Sequence, residues 1–179
     1  IRTISVVYGG TSAERAVSLR SGEAVATALE KCGYEITRYD NSFDIQSLRT
    51  TDMVFPVLHG AGGEDGTFQT QLERLRIPFV GSGSVASSLC MNKEAYRKVM
   101  CEKGFLMPKG DIVNVAAFKT HELTQKPYVL KPIDGGSSID THIVHDPSAQ
   151  DLQLIVESFS RHTQMLLEEL IEGTELTIG

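Results

Sequence analysis

The chain has 179 residues, and 17 Lys+Arg against 23 Asp+Glu leave a net charge of −6 at pH 7. Hydrophobic residues make up 41% and charged residues 22%, an ordinary globular mixture able to form a core without disulfide or metal staples, as one large domain or two small ones. An acidic chain lacks the cationic footprint that a phosphate backbone requires, and no apolar run approaches the roughly 20 residues that span a bilayer, so nucleic-acid and membrane functions are set aside.

The first predicted element is a strand over residues 4–8, a β-branched apolar run stopped by Gly9-Gly10. Ser18 or Ser21 could then cap a helix whose Val25, Leu29 and Cys32 form one apolar stripe, with Gly33 as the stop. Strands are expected over 35–39, 52–58 and 78–80, and a helix over 67–75. This alternation argues for an open, mostly parallel α/β sheet. Beyond it a helix is expected over 93–103, strands over 109–113, 128–131 and 141–144, and helices over 115–124 and 147–161. Strands over 165–170 and 175–178 follow, giving an α+β second half, with the boundary between Ser84 and Asn92 and the domains at 1–88 and 89–179. Both ends read as cut, since a strand-like run opens the chain at Ile1 and another closes it at Gly179.

Four stretches are candidates for chemistry. Residues 9–15 join a strand to a helix, where two glycines permit close backbone approach and the helix start offers N–H groups to an anion. Residues 59–66 place His59 and four glycines at the carboxyl end of an apolar strand, where open α/β sheets bind ligands. In residues 129–138 a strand ends in Lys131 and runs into a Gly/Ser turn, a pattern suited to phosphate oxygens, although an exposed lysine on a plain hairpin is the alternative. Glu168, Glu169 and Glu175 cluster near strand ends, as a solvated edge or as acceptors for a nucleoside. His142 and His145 read as a surface pair, His121 and His162 as helix residues, and Cys90 as a core thiol. Cys32, Cys90 and Cys101 show no metal-type spacing, so a reduced, cytoplasmic setting is expected.

Together these motifs resemble the D-alanine–D-alanine ligases, members of the ATP-grasp enzymes. Residues 9–19, 59–66 with Gln69 and Leu72-Glu73, 77–82, and Met91-Asn92-Lys93 carry the resemblance in order. It implies an amino-terminal substrate-binding domain followed by part of an ATP-grasp domain. ATP would phosphorylate one D-alanine carboxylate, and the amine of a second D-alanine would then attack the acyl phosphate. By position, Glu14 would hold the first ammonium, with Val17 and His59 beside that substrate and Ser137 hydrogen-bonded to Glu14. Lys93 and Lys131 would meet ATP phosphates under a turn containing Gly136, Ser137 and Ser138. Glu168 and the backbone of Glu169 and Ile171 would hold adenine, and Glu175 the ribose. The chain departs from the family at Asp140, where glycine is common, at Gly135, where glutamate is frequent, and at Glu169, where lysine is common. The resemblance further implies a cytoplasmic homodimer, with Mg2+ ligands and the second D-alanine pocket beyond the position of Gly179, so that this portion alone would not turn over. A ligase joining D-alanine to D-lactate or D-serine, or a non-catalytic ligase-like binding protein, are the alternatives.

Overall fold

A computed structural model describes residues 1–40, 43–136 and 138–176, and the chain divides into two compact units, residues 1–91 and 92–179. In the first unit, β1 (Thr3–Tyr8) is buried along almost its whole length. Such a strand needs cover on both faces, as in parallel sheets. It lies between β2 (Glu35–Asp40) and β3 (Met53–Pro56), and both pairs are parallel. The period-2 alternation splits β1 between two cores. Ile4, Val6 and Tyr8 pack with Ala26 of α1 (Arg15–Lys31), while Val7 packs with Leu48, Val54 and with Phe68 and Leu72 of α2 (Thr67–Leu75). The open, parallel α/β reading of this half holds.

Local differences from the expected elements have physical causes. Helix α1 begins at Arg15, not after Ser18 or Ser21, because Ser18 is fully buried and its hydroxyl is committed elsewhere. It donates to the Val57 carbonyl and accepts from the Gly9 N–H at 2.8 Å, tying the helix to the ends of two strands. Gly33 (φ 89°) ends α1, with Gly33 N–H bonded to Glu30 O and Tyr34 N–H to Leu29 O, a Schellman closure. Cys32 is exposed and falls outside the stripe. Residues 78–80 contribute a single parallel bridge, Val54 to Phe79, because Pro78 has no N–H to offer a ladder. Residues expected to link the domains form helix α3 (Ser84–Met91), none of whose residues is buried, so Cys90 is an exposed thiol and not a core one.

The second unit begins with α4 (Lys93–Glu102), capped by Asn92 accepting from Ala95 N–H. Its antiparallel sheet has the order β4 (Gly110–Val113), β7 (Met165–Glu169), β5 (Tyr128–Pro132), β6 (His142–Val144). Val113, Tyr128, Leu130, Met165 and Leu167 face a core completed by Phe118 of α5 (Val115–Thr120) and by Ile155 and Phe159 of α6 (Leu152–Arg161). Both expected long helices are interrupted by caps. His121 Nδ1 accepts from Leu123 N–H at 3.2 Å, and Asp151 accepts from Leu154 N–H at 3.0 Å after a separate turn of Pro147–Ala149. His162 likewise closes α6 instead of lying within it. Glu175 and Leu176 belong to no strand, and the rest of the expected strand over 175–178 lies outside the described residues.

Asp140 ends the turn after β5 with a left-handed backbone (φ 53°), and its side chain is anchored to the end of α6. Arg161 donates to both carboxylate oxygens, at 2.7 and 3.1 Å, and His162 Nε2 lies 2.8 Å from Oδ2. Arg161 first, then His162, holds the Asp140 carboxyl down to about 2. A depressed carboxyl contributes stability above its unfolded value near ~3.9 and loses it as pH falls through the folded value. Asparagine tolerates the same backbone, so Asp140→Asn isolates the charge. Its urea midpoint should lie below wild type at about pH 7, and the gap should close as pH falls from about 5 towards about 2. A pH-independent gap would remove the ion pairs from the account. In the first unit, a Cβ on Gly22 would stand 2.2 Å from the Tyr8 ring. Gly22→Ala should therefore lower stability by about 1–3 kcal/mol in urea titrations, against the ~1 kcal/mol that helix propensity alone would add.

Candidate functional site

In the first unit, the loops after β1 and β3 are fastened to each other. Ser12 Oγ donates to His59 O at 2.6 Å and accepts from Glu14 N–H at 3.2 Å. Arg15 is not available to a ligand: its guanidinium forks onto both Asp40 oxygens at 2.7 Å and reaches Gly10 O at 3.0 Å. Gly60 has a left-handed backbone (φ 71°), and a Cβ there would stand 2.8 Å from Glu14 Oε2. The missing side chain thus brings the Glu14 carboxylate against the 59–66 loop. Gly60 N–H donates to Glu64 at 2.7 Å, and Gly62 and Thr67 N–H donate to the two oxygens of Asp65 at 2.8 and 2.9 Å. Burial would raise the Asp65 carboxyl, but these backbone donors leave it below its ordinary value.

His59 Nδ1 lies 3.7 Å from Glu64 Oε1, while its Nε2 is closed off from solvent and has no hydrogen-bond partner among the described residues. A cavity of about 530 Å³ is lined by His59, Glu64, Gln69, Gly81, Ser82 and Cys90, among others. Val17 is 44% exposed on the first turns of α1. Glu14, His59 and their loops are therefore drawn together by backbone and small-residue contacts.

The second unit concentrates charge on the sheet face opposite its core. In the antiparallel register Val129 faces Glu168 and Lys131 faces Leu166, so Lys131 and Glu168 are diagonal neighbours on one face. Lys131 Nζ lies 2.5 Å from Glu168 Oε2, and Arg97 of α4 pairs with Oε1. Glu168 is only 4% exposed. Lys93 Nζ donates to Gly135 O at 2.8 Å, joining the first turn of α4 to the turn after β5. Burial, and then the neighbouring Lys131 ammonium, lower the Lys93 pKa, while Asp134 and Glu168 act the other way. Three cations thus face two carboxylates, a surplus suited to an anion.

The remaining expected residues are less concentrated. Glu169 N–H is committed to Lys109 O at 2.8 Å, and its carboxylate accepts from Lys109 N–H at 2.8 Å. Ile171 is 63% exposed, and Glu175 is exposed. Gly136 and Ser138 lie in the turn after β5, with Ser138 left-handed at φ 56°, and Ser137 lies outside the described residues. Arg97 was missed in the sequence reading. Its signal was the i, i+4 spacing from Lys93, which puts both on one helix face. Among the described residues no group of three or more His, Cys, Asp or Glu could hold a metal ion, and no helix is long and apolar enough to cross a membrane.

Residues 37–82 match the family described as the D-ala D-ala ligase N-terminus. A D-alanine–D-alanine ligase from Methylobacterium radiotolerans is 48% identical over 98% of this chain, and one from Syntrophotalea carbinolica 43% identical over 99%. The chain spans 59% of the length of either relative. Among solved structures, the D-alanine–D-alanine ligase of Bacillus anthracis superposes with a TM-score of 0.80 at 31% identity, covering 97% of this chain and 59% of that one. The same enzyme complexed with ATP gives 0.80 at 30% identity, covering 97% of this chain and 60% of that one. By sequence and by fold, then, the chain is similar to the D-alanine–D-alanine ligases over about 59% of their length, and its residues 37–82 match the family's amino-terminal part.

Proposed function

We propose that this chain supplies the first-substrate loops and the nucleotide-binding sheet of an ATP-dependent ligase that joins two D-alanines for peptidoglycan synthesis. The observation that carries the reading is the charge surplus around Lys93, Lys131 and Arg97, set on the sheet face away from the apolar core, beside a glycine- and serine-containing turn. Phosphoryl transfer asks the protein mainly for positioning and charge neutralisation. Lys93 and Lys131 meet the phosphates of ATP, with Gly136, Ser137 and Ser138 closing on them. Glu168, with the backbone at Glu169 and Ile171, receives adenine, and Glu175 the ribose.

In the first unit, Glu14 takes the ammonium of the first D-alanine, with Val17 and His59 beside it. The orphaned His59 Nε2 supports a polar ligand there, since a buried ring nitrogen without a partner costs free energy until something bonds to it. The γ-phosphoryl group passes to the carboxylate of that D-alanine as ADP leaves, and the amine of the second D-alanine displaces inorganic phosphate from the acyl carbon. Mg2+ accompanies ATP in such chemistry, and no step here passes through the ion. The reading carries with it a cytoplasmic homodimer.

Two substitutions test the assignment, both made in the ligase that contains this chain. Glu14→Gln replaces the carboxylate with a neutral amide and should raise the KM for the first D-alanine by about tenfold or more in a D-alanine-dependent phosphate-release assay. Unchanged D-alanine kinetics would remove Glu14 from the substrate. Lys131→Ala should raise the KM for ATP or lower kcat, by about tenfold, through loss of a phosphate contact. ATP dependence equal to wild type would show that the sheet face binds something else.

A further inference from the structure

The nucleotide reading, on which this inference rests, leaves one difficulty. Lys131 is already paired with Glu168, and a lysine held by a buried carboxylate cannot also meet a phosphate unless the carboxylate keeps another counter-ion. We propose that Arg97 is a positioning residue: it retains the Glu168 carboxylate when the Lys131 ammonium moves to a phosphate oxygen.

Three observations separate the fixed partner from the movable one. Arg97 is fastened in three directions, to Glu168, to Pro108 O at 2.8 Å and to Gly110 O at 3.2 Å. Its planar fork matches that arrangement, whereas an ammonium on a four-carbon stem has no such constraint. Its side chain is 16% exposed against 28% for Lys131. Glu168 itself cannot follow a departing lysine. It lies on β7 next to the fully buried Leu167, and a Cβ on Gly110 would stand 2.8 Å from its Cγ, so the carboxylate stem is packed on the β4 side. Lys131, by contrast, has Glu168 as its one ion-pair partner among the described residues, and the Lys93 ammonium nearby repels it. The resting arrangement is a carboxylate shared by two cations, of which one is built in and one is on loan.

The role differs from that of a general positive charge near an anion, and the difference is measurable. Removing Arg97 leaves Lys131 as the sole counter-ion of a buried carboxylate, so Lys131 stays where it is. Removing the carboxylate as well sets Lys131 free again. Calorimetric titration with ATP and with inorganic tripolyphosphate, on wild type, Arg97→Met, Glu168→Gln and the double variant, reads this directly. Arg97→Met should weaken tripolyphosphate binding by about tenfold or more, and the double variant should recover it to the level of Glu168→Gln. Glu168→Gln alone should bind tripolyphosphate at least as tightly as wild type, a result that does not depend on Arg97→Met folding. Weaker binding by Glu168→Gln, wild-type binding by Arg97→Met, or a double variant no better than Arg97→Met would each overturn the role of Arg97. Wild type that binds neither ATP nor tripolyphosphate would instead overturn the nucleotide reading itself, and the role of Arg97 with it.

Discussion

A carboxylate that is 4% exposed must keep company with cations, and much of the second unit is arranged around that requirement at Glu168. The antiparallel register places Lys131 diagonally across from it, and α4 lays Arg97 over it. Gly110 provides the room for its stem, and the carbonyls of Pro108 and Gly110 accept from two further N–H groups of the guanidinium. Lys93, one turn earlier on the same helix, is drawn into the same field and reaches the turn after β5. Helix, sheet and turn are therefore held in common by one electrostatic obligation, on a face that the apolar core does not use.

The first unit meets a different requirement with different means. Its loops are joined by Ser12, by N–H groups donated to Glu64 and Asp65, and by glycines that let other groups come close. The Arg15–Asp40 pair closes on itself and braces the backbone at Gly10. Such a site suits a small ligand recognised by shape and one or two polar contacts, whereas the cation-rich face of the second unit suits a polyanion.

Much of this was legible in the chain. The run Ile4 to Tyr8 announced a strand buried on both sides, and the Gly-rich stretch after His59 announced a loop with more conformational demand than a turn needs. Lys131 and Glu168 stood out in the sequence as candidates but not as partners, since only the pairing of β5 with β7 makes them neighbours. Helix boundaries were read from propensity and were overruled where a side chain had a tertiary duty. Ser18 bonds across two strands instead of capping, and His121 and Asp151 cap where continuous helices were expected. Asp140 was legible as a departure from the family, but its partners lie about twenty residues away in sequence, on the far end of α6.

The contact between Gly60 and Glu14 has a bearing on how such a site can change. A methyl group at position 60 would press on the tip of a flexible acid, which can swing aside with little cost to packing, the left-handed backbone aside. The carboxylate would then be intact, charged and misplaced. A survey that replaced only ionisable residues would pass over this position, although an uncharged substitution there displaces the Glu14 carboxylate from the 59–66 loop.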